Sequence, residues 1–186
     1  MNKVRIIGGT WRSRLVAFPD ALGLRPTADR VRVTLFNWLG QDLTGKTCLD
    51  LFAGSGVLGF EALSRNAKFV VMVERDAKVR AGLTQSANAL DTKGRLELIG
   101  ADALQFLLQR SDGDNSNNQR FDVVFCDPPF REGWFGKLWD PLAGVVQPGG
   151  VVYAESETAL APPAPWRVKK SGKAGAVHYH LITLEE

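Results

Sequence analysis

Four consecutive residues, Asp127-Pro128-Pro129-Phe130, combine groups that suit one kind of reaction. They follow an apolar run, residues 121–126, that reads as a buried strand. The Asp127 carboxylate and the Pro129 carbonyl can each accept an N–H of a planar exocyclic amine. Pro128 and Pro129 remove competing backbone donors and fix φ. Phe130 offers a face on which a nucleobase can stack. Such a set can hold an amine while a methyl group is delivered to its nitrogen. The same letters also spell an ordinary turn after a strand, so a second motif must decide.

That motif is the run from Cys48 to Gly59, in which an apolar strand enters a glycine turn and then a helix. Gly54, Gly56 and Gly59 match the spacing of a dinucleotide fingerprint. Asp50, four residues before the first glycine, argues against a pyrophosphate and for the cationic amino group of a methionine-derived ligand. S-adenosylmethionine carries no phosphate and needs no anion site at a helix N-terminus. Glu74 ends a second strand, 20 positions after Gly54, where an acid reaches ribose hydroxyls. Asp102 follows a third strand and can accept from an adenine amine. Phe52, Ser55, Arg75 and Ala103, beside these residues, complete the candidate cofactor set. Asp50, Glu74, Asp102 and Asp127 thus end or follow successive strands, and in an open α/β sheet such ends face one crevice.

Periodicity supplies the elements that must hold these residues. Residues 4–7 and 14–17 can pair as a hairpin around Gly8-Gly9-Thr10. Thr27 is placed to cap a helix over 28–39. Strands over 47–52, 69–73, 95–99, 121–126 and 151–155 alternate with helices over 57–65, 76–90, 102–109 and 132–146. This alternation predicts a doubly wound, mostly parallel sheet. Residues 166–170 and 177–184 read as a closing antiparallel pair, and residues 112–118 as a mobile polar loop.

Composition narrows the function. With 186 residues, 45% hydrophobic and 23% charged, the chain reads as one soluble unit with a sizeable core. No apolar stretch reaches membrane-spanning length and the N-terminus lacks a secretory pattern, so a cytoplasmic protein is expected. Cys48 and Cys126 lie in buried strands and read as core thiols; two Cys and two scattered His give no metal spacing. Residues 1–46 hold eight basic and three acidic side chains, a net of +5, whereas residues 47–186 are net −2. The expected division is a basic RNA-binding extension over 1–46 on a catalytic domain over 47–186. Arg5, Trp11, Arg12, Arg14, Arg25, Thr27, Arg30 and Arg32 are its candidate RNA contacts.

The blocks 5–14, 23–32, 35–39, 50–56, 61–65, 127–130 and 153–157 together resemble the RsmD family of 16S ribosomal RNA (guanine(966)-N2)-methyltransferases, over nearly the whole chain. The resemblance implies a class I S-adenosylmethionine-dependent fold, Rossmann-like, with seven strands, one of them reversed, plus the N-terminal hairpin and helix. It implies S-adenosylmethionine as cofactor, no metal, a monomer, and 16S ribosomal RNA in the assembled or assembling small subunit as substrate. Val33 departs from the Glu usual in the family, and 111–119 reads as an insertion. Three rivals share parts of the pattern. A DNA adenine-N6 methyltransferase uses the same tetrapeptide but usually brings a target-recognition domain. A non-catalytic RNA-binding module does not need the set of acids. A nicotinamide oxidoreductase conflicts with Asp50.

Overall fold

The computed structural model describes residues 1–20, 26–111, 119–130 and 132–185. Arg25 and the polar segment 112–118 lie outside the described residues.

The chain opens with an antiparallel hairpin, β1 (Asn2–Arg5) and β2 (Leu15–Phe18), in the register Asn2 to Phe18. Helix α1 (Asp29–Leu39) follows. The expected alternation then runs β3 (Thr47–Asp50), α2 (Val57–Ser64), β4 (Phe69–Val73), α3 (Ala77–Leu90), β5 (Leu96–Ile99), α4 (Ala103–Ser111), β6 (Phe121–Cys126), α5 (Phe135–Val145) and β7 (Val146–Ser156). Strands β8 (Trp166–Ala174) and β9 (Val177–Leu184) close the chain. The main sheet has the order β5-β4-β3-β6-β7-β9-β8, and β9 is its one reversed strand.

Central strands are apolar on both faces because both are covered. On one face Cys48, Val70, Phe125 and Tyr153 pack with the hairpin, α1, α2 and α3. On the other Leu49, Val71, Val124 and Cys126 pack with α4 and α5. The hairpin and α1 therefore belong to the core of one face: Ile6, Val16, Leu35 and Phe36 are fully buried.

Several boundaries differ from expectation for identifiable reasons. Thr27 does not cap α1. Ala28 holds that position without a side-chain cap, and the Thr27 side chain turns toward the carboxyl ends of the sheet. Asp76 is a cap instead, accepting from the Lys78 and Val79 amides. Strand β3 stops at Asp50 because the glycine turn begins there. Strand β7 starts earlier than 151, since Phe121 pairs with Val146 before a bulge at the left-handed Gly149.

Candidate active site

The strand ends gather the acids. Cα register places Asp50 beside Phe125 and Cys126 beside Ala154. Alternation along β3, β6 and β7 then sends Asp50, Asp127 and Glu155 to the same face at the same end of the sheet. This is the face covered by α1 and α2.

On the cofactor side, Gly56 adopts φ +74° at the start of α2, and a Cβ there would stand 2.5 Å from the Leu83 side chain and 2.8 Å from the Phe60 ring. Only glycine fits so close a turn. Ser55 is buried, and its Oγ accepts from the Val57 amide. Asp50 is 2% exposed and accepts from the Gly59 amide at 3.1 Å, so it braces the strand against α2. Burial pushes its carboxyl up to about 7, with the charge of Glu74 adding to the effect and the Gly59 amide opposing it. Glu74 bridges the crevice wall, accepting from the Gly54 amide at 3.0 Å and the Asp76 amide at 2.8 Å. Asp102 caps α4 through the Leu104 and Gln105 amides, and Ala103 is buried behind it. Arg75 is exposed on the rim. Phe52 packs edge-on against Trp134, ring centroids 5.0 Å apart, and so joins the turn to the segment after Phe130.

On the acceptor side, Pro128 is buried, Pro129 is exposed and Phe130 is 40% exposed, enough to offer a ring face. Asp127 sits at the crevice floor. Burial, then the charges of Glu155 and Asp50, hold its carboxyl well above the usual range, while the Thr27 hydroxyl opposes this. Glu155 is 5% exposed and is also raised, chiefly by burial; the hydroxyls of Tyr153 and Thr27 oppose the rise. Tyr153 donates to Glu155 Oε1 at 2.7 Å. Thr27, itself buried, stands near both carboxyls and lowers each against the rise that burial imposes. Among the described residues no His, Cys, Asp or Glu cluster is arranged to hold a metal ion.

Sequence reasoning missed Glu155, Tyr153, Trp134 and the contact from Thr27 to the acids. Glu155 carried the same signal as the other four acids, an acidic residue at the end of an apolar strand.

The N-terminal candidates separate into two groups. Arg5, Arg12, Arg14 and Arg30 are exposed, although Arg14 also donates to the Ala89 carbonyl. Arg32 is 0% exposed. Its guanidinium bonds Glu61 at 3.1 Å, Asp29 at 2.6 Å and the carbonyls of Arg5 and Thr27. This side chain is spent inside the fold and offers nothing to a phosphate, which corrects its expected role. Trp11 is likewise 8% exposed, with the Arg95 guanidinium 5.7 Å from its ring centroid.

The hairpin tip is fixed by α2. Glu61 accepts from the Ile7 and Gly8 amides and pairs with Arg32 and Arg65. Ser64 Oγ donates to the Gly8 carbonyl and accepts from the Trp11 amide. Gly9, at φ +73°, approaches so near that a Cβ would lie 1.9 Å from the Ser64 carbonyl oxygen. Because α2 runs away from the carboxyl ends, Trp11 sits at the amino edge of the sheet, opposite Phe130. A cavity of about 620 Å³ opens there, lined by Thr10, Trp11, Lys68, Lys93 and Arg95 among others.

The geometry can be set beside known proteins. The family model described as "Conserved hypothetical protein 95" matches residues 4–183. "Ribosomal RNA small subunit methyltransferase D" of Escherichia coli K12 is 40% identical over 99% of this chain and 91% of its own length. Its counterpart in Haemophilus influenzae is 41% identical over 97% and 93%. The Escherichia coli structure solved as "Putative methyltransferase yhhF" superposes with a TM-score of 0.85 at 39% identity, covering 99% of each chain. A more distant structure, SMU.776 complexed with SAH, shares the fold at a TM-score of 0.66 and 15% identity, covering 82% of this chain and 48% of that one. On these matches this chain belongs to the family of conserved hypothetical protein 95, with the ribosomal RNA small subunit methyltransferases D.

Proposed function

We propose that the protein transfers a methyl group from S-adenosylmethionine to the exocyclic N2 of a guanine, position 966 by family resemblance, in 16S ribosomal RNA. The observation that carries this reading is the Asp127 carboxyl beside an exposed Phe130 at the crevice floor. The relatives named for small-subunit ribosomal RNA support the substrate class.

The residues fit the cofactor by their chemistry. Asp50, Glu74 and Asp102 supply acceptors at three successive strand ends, suited to an amino group, ribose hydroxyls and an adenine amine. Phe52, Gly54, Ser55, Gly56, Arg75 and Ala103 form the walls around them. S-adenosylmethionine, when bound, supplies an activated methyl group. The protein's part is then positioning and electrostatics. Asp127 and the Pro129 carbonyl take the two N–H groups of the amine, and Phe130 stacks on the base. A guanine amine is a poor nucleophile because its lone pair is delocalised into the ring; hydrogen bonds that favour a pyramidal nitrogen free that pair. Positive charge develops on the nitrogen as it reacts, and Asp127 stabilises it. The upward push on Asp127 also makes it a better proton acceptor than a solvated carboxylate.

Residues 1–46 act in this reading as the RNA-binding extension of a catalytic domain over 47–186. Arg5, Arg12, Arg14 and Arg30 are its exposed cations, and Arg25 belongs to the same basic segment. The enzyme works as a monomer on the assembled or assembling small subunit in the cytoplasm. Mapping methylated nucleotides in ribosomal RNA from cells with and without the protein tests the reading. Loss of one N2-methylguanosine supports it; an unchanged map contradicts it.

A further inference from the structure

Beside the half-buried Asp127 stands a buried carboxyl, Glu155, that the reaction itself does not require. Glu155 follows Ala154, the register partner of Cys126, and Asp127 is the first residue beyond β6, so the two acids stand side by side where the parallel pair β6 and β7 ends. Such strands lie about 4.8 Å apart. Glu155 is held in place by Tyr153 through a 2.7 Å hydrogen bond and by Thr27 from the N-terminal segment. A buried carboxyl anchored through one oxygen by the Tyr153 hydroxyl keeps further acceptor capacity.

We infer that Glu155 is a specificity-determining residue that accepts the N1–H of the target guanine while Asp127 holds the neighbouring N2 amine. This rests on the proposed guanine-N2 reading and deepens it. On the Watson–Crick edge of guanine, N1–H and the N2 amine are adjacent donors. Two carboxyls side by side match that pair. In adenine N1 is an acceptor, so the same two acids would face a lone pair and leave a buried acceptor unpaired. Sites built to bond a donor reject analogues that lack it far more strongly than apolar pockets reject a missing methylene. Tyr153 and Thr27 are positioning residues that aim the Glu155 carboxyl.

The test compares small subunits whose target nucleotide is guanosine with subunits carrying 2-aminopurine riboside there, which keeps the N2 amine but has an acceptor at N1. Wild type should favour guanosine in kcat/KM by about 10²-fold or more. Glu155→Gln, whose amide can donate to N1 of the analogue, should narrow that ratio at least tenfold. Its cofactor affinity should stay at the wild-type value. Tyr153→Phe removes only a hydroxyl; it should narrow the ratio less, and it decides the matter if Glu155→Gln does not fold. A variant that slows both substrates equally, leaving the ratio unchanged, overturns the assignment. Wild type that transfers no methyl to the guanosine subunit signals instead that the guanine-N2 reading has failed, and the assignment falls with it.

Discussion

The two ends of the sheet carry opposite chemistry. At the carboxyl ends, Asp50, Asp127 and Glu155 share one face of the sheet, and desolvation raises all three carboxyls. At the amino ends, Lys68, Lys93 and Arg95 line an open cleft beside Trp11. The exposed Lys68 and Lys93 outnumber Asp91 in this lining and suit a polyanion, whereas desolvated acids suit hydrogen-bond donors of a small ligand and a base. The hairpin joins the two ends: its tip is clamped to the far end of α2, and the segment after β2 brings Thr27 to Asp127 and Glu155.

The connection breaks most completely at Glu61. This fully buried carboxylate holds Arg32, Arg65 and two hairpin amides. Removing one member of a buried ion network costs about 3–5 kcal/mol. Glu61→Ala should therefore lower the unfolding midpoint by several degrees in calorimetry, and a midpoint within one degree of wild type would show that the clamp is dispensable.

The acidic end should reveal itself by pH. The folded-state carboxyl of Asp50 is raised, to about 7, so its protonated form is the one folding favours. Its contribution is fully present below the unfolded value near 4 and is lost as pH rises toward 7. Asp50→Asn keeps an acceptor for the Gly59 amide but carries no charge. Its stability relative to wild type should rise between about pH 4 and 7 and level off above. A difference that is flat over that window would place the strain elsewhere.

Glu74→Ala sharpens the cofactor half of the crevice. It deletes acceptors that hold the Gly54 and Asp76 amides and that the proposed function assigns to ribose hydroxyls. Each buried partner left unpaired costs about 1–3 kcal/mol. Titration calorimetry with S-adenosylmethionine should show weakening of that size; unchanged affinity would move the site.

The basic end should give the smallest effect. Replacing Arg12 and Arg14 with Ala should weaken RNA binding and flatten its dependence on log salt by about 0.7–0.9 for each phosphate no longer neutralised. Cofactor affinity should stay at the wild-type value. Retained RNA affinity and salt slope, with a lower unfolding midpoint, would make these arginines structural.

Local patterns made the parallel sheet, the glycine turn and the strand-end acids legible, because each depends on residues close in sequence. The run 48–59 fixes its own strand, turn and helix, and Asp127 inherits its position from the strand before it. What was not legible depends on partners distant in sequence. Arg32 looks like any surface cation until α2 supplies Glu61, 29 positions away, and closes it in. Thr27 has the side chain of a helix cap, yet it faces the carboxyls of Asp127, just past β6, and Glu155 on β7. Trp11 read as an RNA contact because nothing local announces that Gly8 and Gly9 dock on Ser64.

In the proposed reaction Asp127 holds and stabilises the reacting amine. Single-turnover methyl transfer to small subunits lacking the modification isolates that role, with wild type and Asp127→Ala compared at saturating S-adenosylmethionine. Cofactor affinity should stay close to wild type while the rate falls by on the order of 10²-fold or more, the scale for losing one preorganised electrostatic partner. A near-normal rate of N2-methylguanosine formation by Asp127→Ala would contradict it.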